Sequence, residues 1–189
     1  MYRMKKYKQL LFKKHTMFDR ADSDVQRLLL RYEISAIIDD ISRPDAQDFH
    51  ILGLVYYDTS QDEHDIRKAH DYFKRSLSVE DKYNMARLYS AHCFHDLEEY
   101  SEALRNYLLV NSIELINDFA FWRYAKLQEQ IGFCYFKLGD VDKAKKYFKI
   151  LLGFYERETF ETVGYPSEVY DCLDENDEIY QKIKEFEEP

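Results

Sequence analysis

The chain has 189 residues, 46% of them hydrophobic and 16% aromatic, enough to bury a core, and only 5 Gly and 3 Pro, too few for a fold rich in tight turns. The net charge of −9 is uneven: residues 1–20 carry +6, residues 156–189 carry −9, and the stretch between them carries −6. A body acidic over most of its length excludes general polyanion binding, which needs a basic face, and apolar residues recurring at helical spacing select an all-α domain.

Residues 1–18 put Met4, Tyr7, Leu11 and Phe18 on one stripe with lysines elsewhere, predicting a short amphipathic helix. It is expected to dock on the acidic body. Lying on an anionic membrane surface, binding nucleic acid, or fraying are the alternatives. Ser23 with Gln26 then forms a capping box that opens a helix to Ile41. Val25, Leu28, Leu29, Tyr32 and Ala36 share one face, and Leu30, Ile34, Ile37, Ile38 and Ile41 widen it, so neighbours on two sides are expected. Pro44 breaks that helix and suits the opening of the next.

Helix pairs follow at roughly 45–57 with 65–79, 82–96 with 99–116, and 118–138 with 141–157. Acidic tail helices are expected near 166–173 and 177–187, with Ile179, Ile183 and Phe186 facing inward. The second helices of the pairs repeat a spacing: Ile66-Ala69-Phe73, Tyr100-Ala103-Tyr107 and Val141-Ala144-Phe148. Offsets of three and four place each trio on one face, where the Ala admits a neighbouring helix and the aromatic fills the space beside it. The first helices carry Gly53 with Tyr56, Ala91 with Phe94, and Gly132 with Tyr135.

This pattern, with 34 residues from Ala69 to Ala103 and the turn "LGDVDKA" at Leu138–Ala144, resembles the tetratricopeptide repeat. The resemblance covers 45–157, although the closing Pro of that family is absent and Gln128 and Arg87 stand where it has Trp or Leu. It implies an α-solenoid of about three helix pairs (45–157) in a single domain, capped by N-terminal helices (1–44) and acidic C-terminal helices (158–189). Between Ala103 and Ala144 the spacing is 41 residues, seven beyond the period, and both facing helices are expected to lengthen by about two turns.

The densest ligand-like cluster is "HCFHDLEE", where His92, His95 and Asp96 share a helix face; a metal would need a fourth group such as His50 or His64, so no metal or other cofactor is assigned. Asp174–Glu185 resembles a calcium loop but has Ile179 where the sharp turn requires Gly. No phosphate loop, HExxH or GxSxG occurs, and a non-catalytic protein is the expectation. Cys93, Cys134 and Cys172 lack ligand spacing and read as reduced thiols; with no signal-peptide core and no membrane-length apolar run, a cytoplasmic location is expected.

The repeat resemblance implies protein or peptide binding on a concave face made by first helices. By register that face carries Leu54 and Tyr57, with His50 beside them; Met85, Leu88, His92, His95 and Asp96; and Lys126, Glu129, Phe133, Phe136 and Lys137. Trp122 either extends it or enters the core, and the chain's own tail is an alternative cover for Phe133 and Phe136. A narrower expectation is stoichiometric inhibition of a basic partner, as an immunity protein neutralises a nuclease toxin.

Overall fold

The computed structural model describes the backbone of residues 2–117, 121–158 and 160–187, and the side chains of 6–116, 121–158 and 162–187. The described residues form helices and connecting turns, with no strand. They divide into two compact units, 1–97 and 98–189.

The first unit contains α1 (Tyr2–Asp19), α2 (Asp24–Asp39), α3 (Ala46–Tyr57), α4 (Glu63–Val79) and α5 (Asn84–Asp96). Helix α1 is docked: Leu11 and Phe18 are buried, Lys8 reaches Asp45 at 2.9 Å and Asp48 at 2.5 Å, Tyr7 donates to Asp48, and Lys14 meets Glu33 at 2.6 Å. The side chain of Met4 lies outside the described residues. Asp45 and Asp48 form a reciprocal capping box on α3, so one carboxylate pair both starts that helix and anchors α1.

Helix α2 begins at the predicted cap, Ser23 accepting from the Gln26 amide at 3.3 Å. Its buried side is Leu30, Ile34 and Ile38, with Arg31 threading inward to Thr59 and Asp65, both at 3.1 Å. The expectation of neighbours on two sides is corrected here. Val25, Leu29 and Tyr32 are exposed, because α1 and α3 both pack on the Leu30–Ile34–Ile38 side.

Helices α3 and α4 form the first repeat-like pair. An added Cβ at Gly53 would stand 2.3 Å from the Phe73 ring, closer than any real side chain could sit. The absence of a side chain therefore admits the ring, and Phe73 and Ala69 are both fully buried.

The second unit contains α6 (Tyr100–Tyr107), α7 (Ser112–Asn117), α8 (Phe121–Lys137), α9 (Val141–Tyr155), α10 (Phe160–Val163), α11 (Ser167–Cys172) and α12 (Glu178–Glu185). The same interlock recurs between α8 and α9, where a Cβ on Gly132 would stand 2.5 Å from the Phe148 ring. Ala103, Ala144 and Phe148 are fully buried and Tyr107 nearly so. The first member of the third trio is not: Val141 is 41% exposed at the start of α9.

The long helix expected at 99–116 is broken. After Tyr107 the chain turns, and Asn111 restarts it as α7 by accepting from the Ile113 amide at 3.2 Å and donating to Glu114 at 2.8 Å. Part of the seven-residue excess thus forms a separate short helix, because a local side-chain cap competes with continuing the helix. The start of the helix expected from 118 lies outside the described residues. In the tail, Asp177 caps α12 and meets Lys145 of α9 at 2.5 Å, with Ile179 and Ile183 buried; Phe186 stays 39% exposed beside Tyr155.

Two helix-ending turns share one conformation with different residues. Gly139 has φ +84° and closes α8 in a Schellman arrangement, Asp140 N–H reaching the Tyr135 carbonyl at 2.9 Å. Glu98, at the matching place after Leu97, holds φ 57° without glycine's freedom.

Three stability outcomes follow. Gly132→Ala should lower stability by about 1–3 kcal/mol, since the enclosed Phe148 ring cannot move aside. Gly153→Ala, whose added Cβ meets nothing within 4 Å, should raise it by about 0.5–1 kcal/mol. Urea titration of the two variants checks the pair, and equal effects would remove the steric explanation. Glu98→Gly should stabilise by about 1 kcal/mol, read as a higher melting temperature.

Candidate functional site

The residues expected to face a partner fall into two groups, one in each unit. In the first unit α3 and α5 bring Tyr57, His92, His95 and Asp96 together, while Leu54 is half-buried against the unit's core. The Tyr57 hydroxyl, at the end of α3, donates to Asp96 Oδ2 at 2.5 Å, and His95 Nδ1 lies 3.5 Å from Asp96 Oδ1. Burial and then the Asp96 carboxylate push the Tyr57 phenol up, so it remains a donor. Burial also works to raise Asp96, but hydrogen bonds from His95 and Tyr57 outweigh it and hold the carboxyl low. This face therefore presents a fixed carboxylate, the outer oxygen environment of which is still wet: the Asp96 side chain is 39% exposed.

Rings frame that carboxylate. Tyr89 stands edge-on to Tyr57 at 5.8 Å and to His92 at 5.6 Å, and stacks on Phe73 at 5.6 Å. The Gly53–Phe73 interlock thus sets the position of Tyr89, and Tyr89 sets the position of the two rings beside Asp96. Behind them His50 is 6% exposed among Phe73, Tyr83 and Tyr89, and its Nδ1 meets no hydrogen-bond partner among the described residues. Burial, helped by the nearby His15, drives its pKa from 6.5 down to about 4. Met85 is half-buried, while Leu88 is 3% exposed and so cannot meet a partner in this conformation.

In the second unit the expected surface on α8 is largely covered by the tail. Glu129 is 2% and Phe133 8% exposed. Glu129 Oε2 receives Lys126 at 2.8 Å, and Oε1 accepts the Glu168 amide of α11 at 2.9 Å. The Glu168 side chain in turn accepts from Gln130 at 2.7 Å and lies 3.7 Å from Lys126, while Gln130 also receives the Tyr107 hydroxyl at 2.8 Å. Phe133 shares a core with Val169 and Cys172 of α11 and meets Tyr100 edge-on at 5.7 Å. Reading Leu88, Glu129 and Phe133 as open recognition positions is corrected on these grounds. Phe136 is half-buried, and Lys137 is exposed over the Phe133 ring at 5.1 Å. Trp122 is 52% exposed beneath the Arg123 guanidinium.

Tyr89, Gln130 and Glu168 escaped the sequence reading. Tyr89 lies one turn before His92 and could have been found by extending that face. Glu168 could not, since its partners are almost forty residues away in the chain. Among the described residues, no three His, Cys, Asp or Glu side chains are placed to hold a metal ion, and no helix is long and apolar enough to cross a membrane. Cys93, Cys134 and Cys172 are free and buried, and burial pushes the Cys134 and Cys172 thiols up to about 12, far from reactive thiolates.

Helix pairs joined by a small-residue-to-aromatic interlock are a helical-repeat architecture, and solved structures bear that out. The chain is similar to "Crystal structure of MamA protein" (20% identity, 80% of this chain and 74% of that one, TM-score 0.60) and to "MamA MSR-1 C2" (17% identity, 100% and 98%, TM-score 0.67). The likeness establishes the all-α helical-repeat fold. No protein-family model matches the sequence, and comparison with curated proteins finds no relative.

The buried His50 has a pH consequence. Its folded pKa is depressed, so the unfolded chain takes up the proton first as pH falls, and stability is lost between pH 6.5 and about 4. The loss from this group should reach about 3 kcal/mol. His50→Phe should flatten stability over that window, checked by urea midpoints at several pH values; an unchanged slope would exclude His50 as the cause.

Proposed function

We propose that this protein is a non-catalytic interaction module that binds a protein or peptide partner on the α3–α5 face of its first unit. The observation that carries the reading is the half-buried Tyr57–Tyr89–His92 ring group around the Asp96 carboxylate. Such rings offer contact area at little cost in side-chain entropy, and a carboxylate already held by two donors is pre-organised for a cationic or amide group of the partner. The helical-repeat fold of the neighbours fits this role.

The second unit supports the same reading differently, since α11 occupies the corresponding α8 surface and leaves the α3–α5 face as the better-presented one. The narrower reading as an inhibitor of a basic toxin rests on net charge alone and is not adopted. Attachment to nucleic acid through α1 is weakened because Lys8 and Lys14 are engaged with Asp45, Asp48 and Glu33.

The test is affinity capture from the native cell with wild type and a His92→Ala/Asp96→Lys variant. The variant, shown to be folded by its circular dichroism, should lose a stoichiometric partner by about tenfold or more. Equal recovery with both would take the site off this face.

A further inference from the structure

The α1–α2 side of the first unit holds a groove of about 750 Å³ that the proposed binding face does not use. Its floor is Leu30, 9% exposed, and its walls are Phe12 at 71%, Leu29 at 60% and Met17 at 44%. On α2 the apolar line continues through Val25, Leu29 and Tyr32, spaced i, i+4, i+7, all exposed. That is the second apolar side of α2 whose neighbour the sequence led one to expect. An end helix of a repeat array ordinarily turns a polar face outward, and this one does not.

The rim gives the missing neighbour a charge. Lys13 and Arg20 are exposed on the α1 edge, and no carboxylate among the described residues lies within 4.0 Å of either. Lys14 is already paired with Glu33, so the unsatisfied rim charge is positive although the protein is acidic.

We propose that this groove docks an acidic amphipathic helix of a partner protein. The apolar stripe of that helix fills the space between Phe12, Met17 and Leu29, completing a three-helix layer, and its carboxylates meet Lys13 and Arg20. A second copy fits less well. A two-fold pairing of this groove would oppose like rim charges, and the chain's own amphipathic tail helix, α12, has as many lysines as glutamates and already buries Ile179 and Ile183 within the second unit. A bilayer would meet the crest of α1 and leave the recessed Leu30 unreached. The two unpaired cations of this rim among the described residues are too few for nucleic acid.

The experiment is selection of a displayed library of random peptides, about 16 residues and so about 24 Å long as helices, on the immobilised full-length protein. Enriched peptides should carry apolar residues at i, i+3 or i+4, and i+7, with Asp or Glu flanking them. They should lose about tenfold or more in affinity for Leu29→Glu and for Lys13→Glu/Arg20→Glu, and keep it for His92→Ala/Asp96→Lys. Because Leu29 is mostly exposed, Leu29→Glu should melt as wild type does. No enrichment, basic or non-amphipathic winners, or binding that survives Leu29→Glu would each overturn the proposal. So would salt-sensitive co-sedimentation of wild type with vesicles about one-third phosphatidylserine that Lys13→Glu/Arg20→Glu abolishes, which would assign the patch to a membrane surface.

Discussion

Two glycines accept two phenylalanine rings, and the packing of each unit depends on that close approach. At Gly53 and Gly132 the facing ring occupies the place a Cβ would take, so a ring of α4 sits directly on the α3 backbone and a ring of α9 on that of α8. Burial of Phe73 and Phe148 is complete as a result. In the first unit Phe73 then supports Tyr89 and His50, so the ring group around Asp96 is an outer layer of the same interlock.

The two units use their polar groups in opposite ways. In the first, hydrogen bonds fix Asp96 at a half-open face. In the second, Glu129 and Gln130 point at the chain's own α11, and the resulting network is closed except at the Lys126 edge. A buried carboxylate is tolerable only when its oxygens are satisfied, and for Glu129 the Glu168 backbone amide and the Lys126 ammonium are the donors, while the Glu168 side chain accepts from Gln130. Tail placement is thus a condition of burying Glu129 rather than a consequence of apolar contact alone.

At the amino end the basic helix illustrates how charge distribution and packing differ as information. Lysines of α1 answer carboxylates of α2 and α3, as the opposed charges of residues 1–20 and the remaining body implied. Yet the apolar groups of α1 and α2 exceed what the unit covers, leaving Phe12, Leu29 and Tyr32 in solvent. Which of two apolar sides becomes the core follows from what else arrives: α3 packs against one side only, and no described element covers the other.

Local periodicity determined the helical class, most helix limits and the small-residue-to-aromatic repeat, because helix formation and i, i+3, i+4 stripes depend on residues close in sequence. The Ser23 cap and the Gly139 turn were legible for the same reason. Tertiary structure alone decided that α11 covers Glu129 and Phe133 and that Tyr89 and Asp96 share a face with Tyr57. Those outcomes join groups some thirty to forty residues apart, and no short-range pattern carries the distance between them. The candidate site was therefore half visible: its residue types and register could be read from the chain, whereas which of them remained open depended on where the distant tail came to rest.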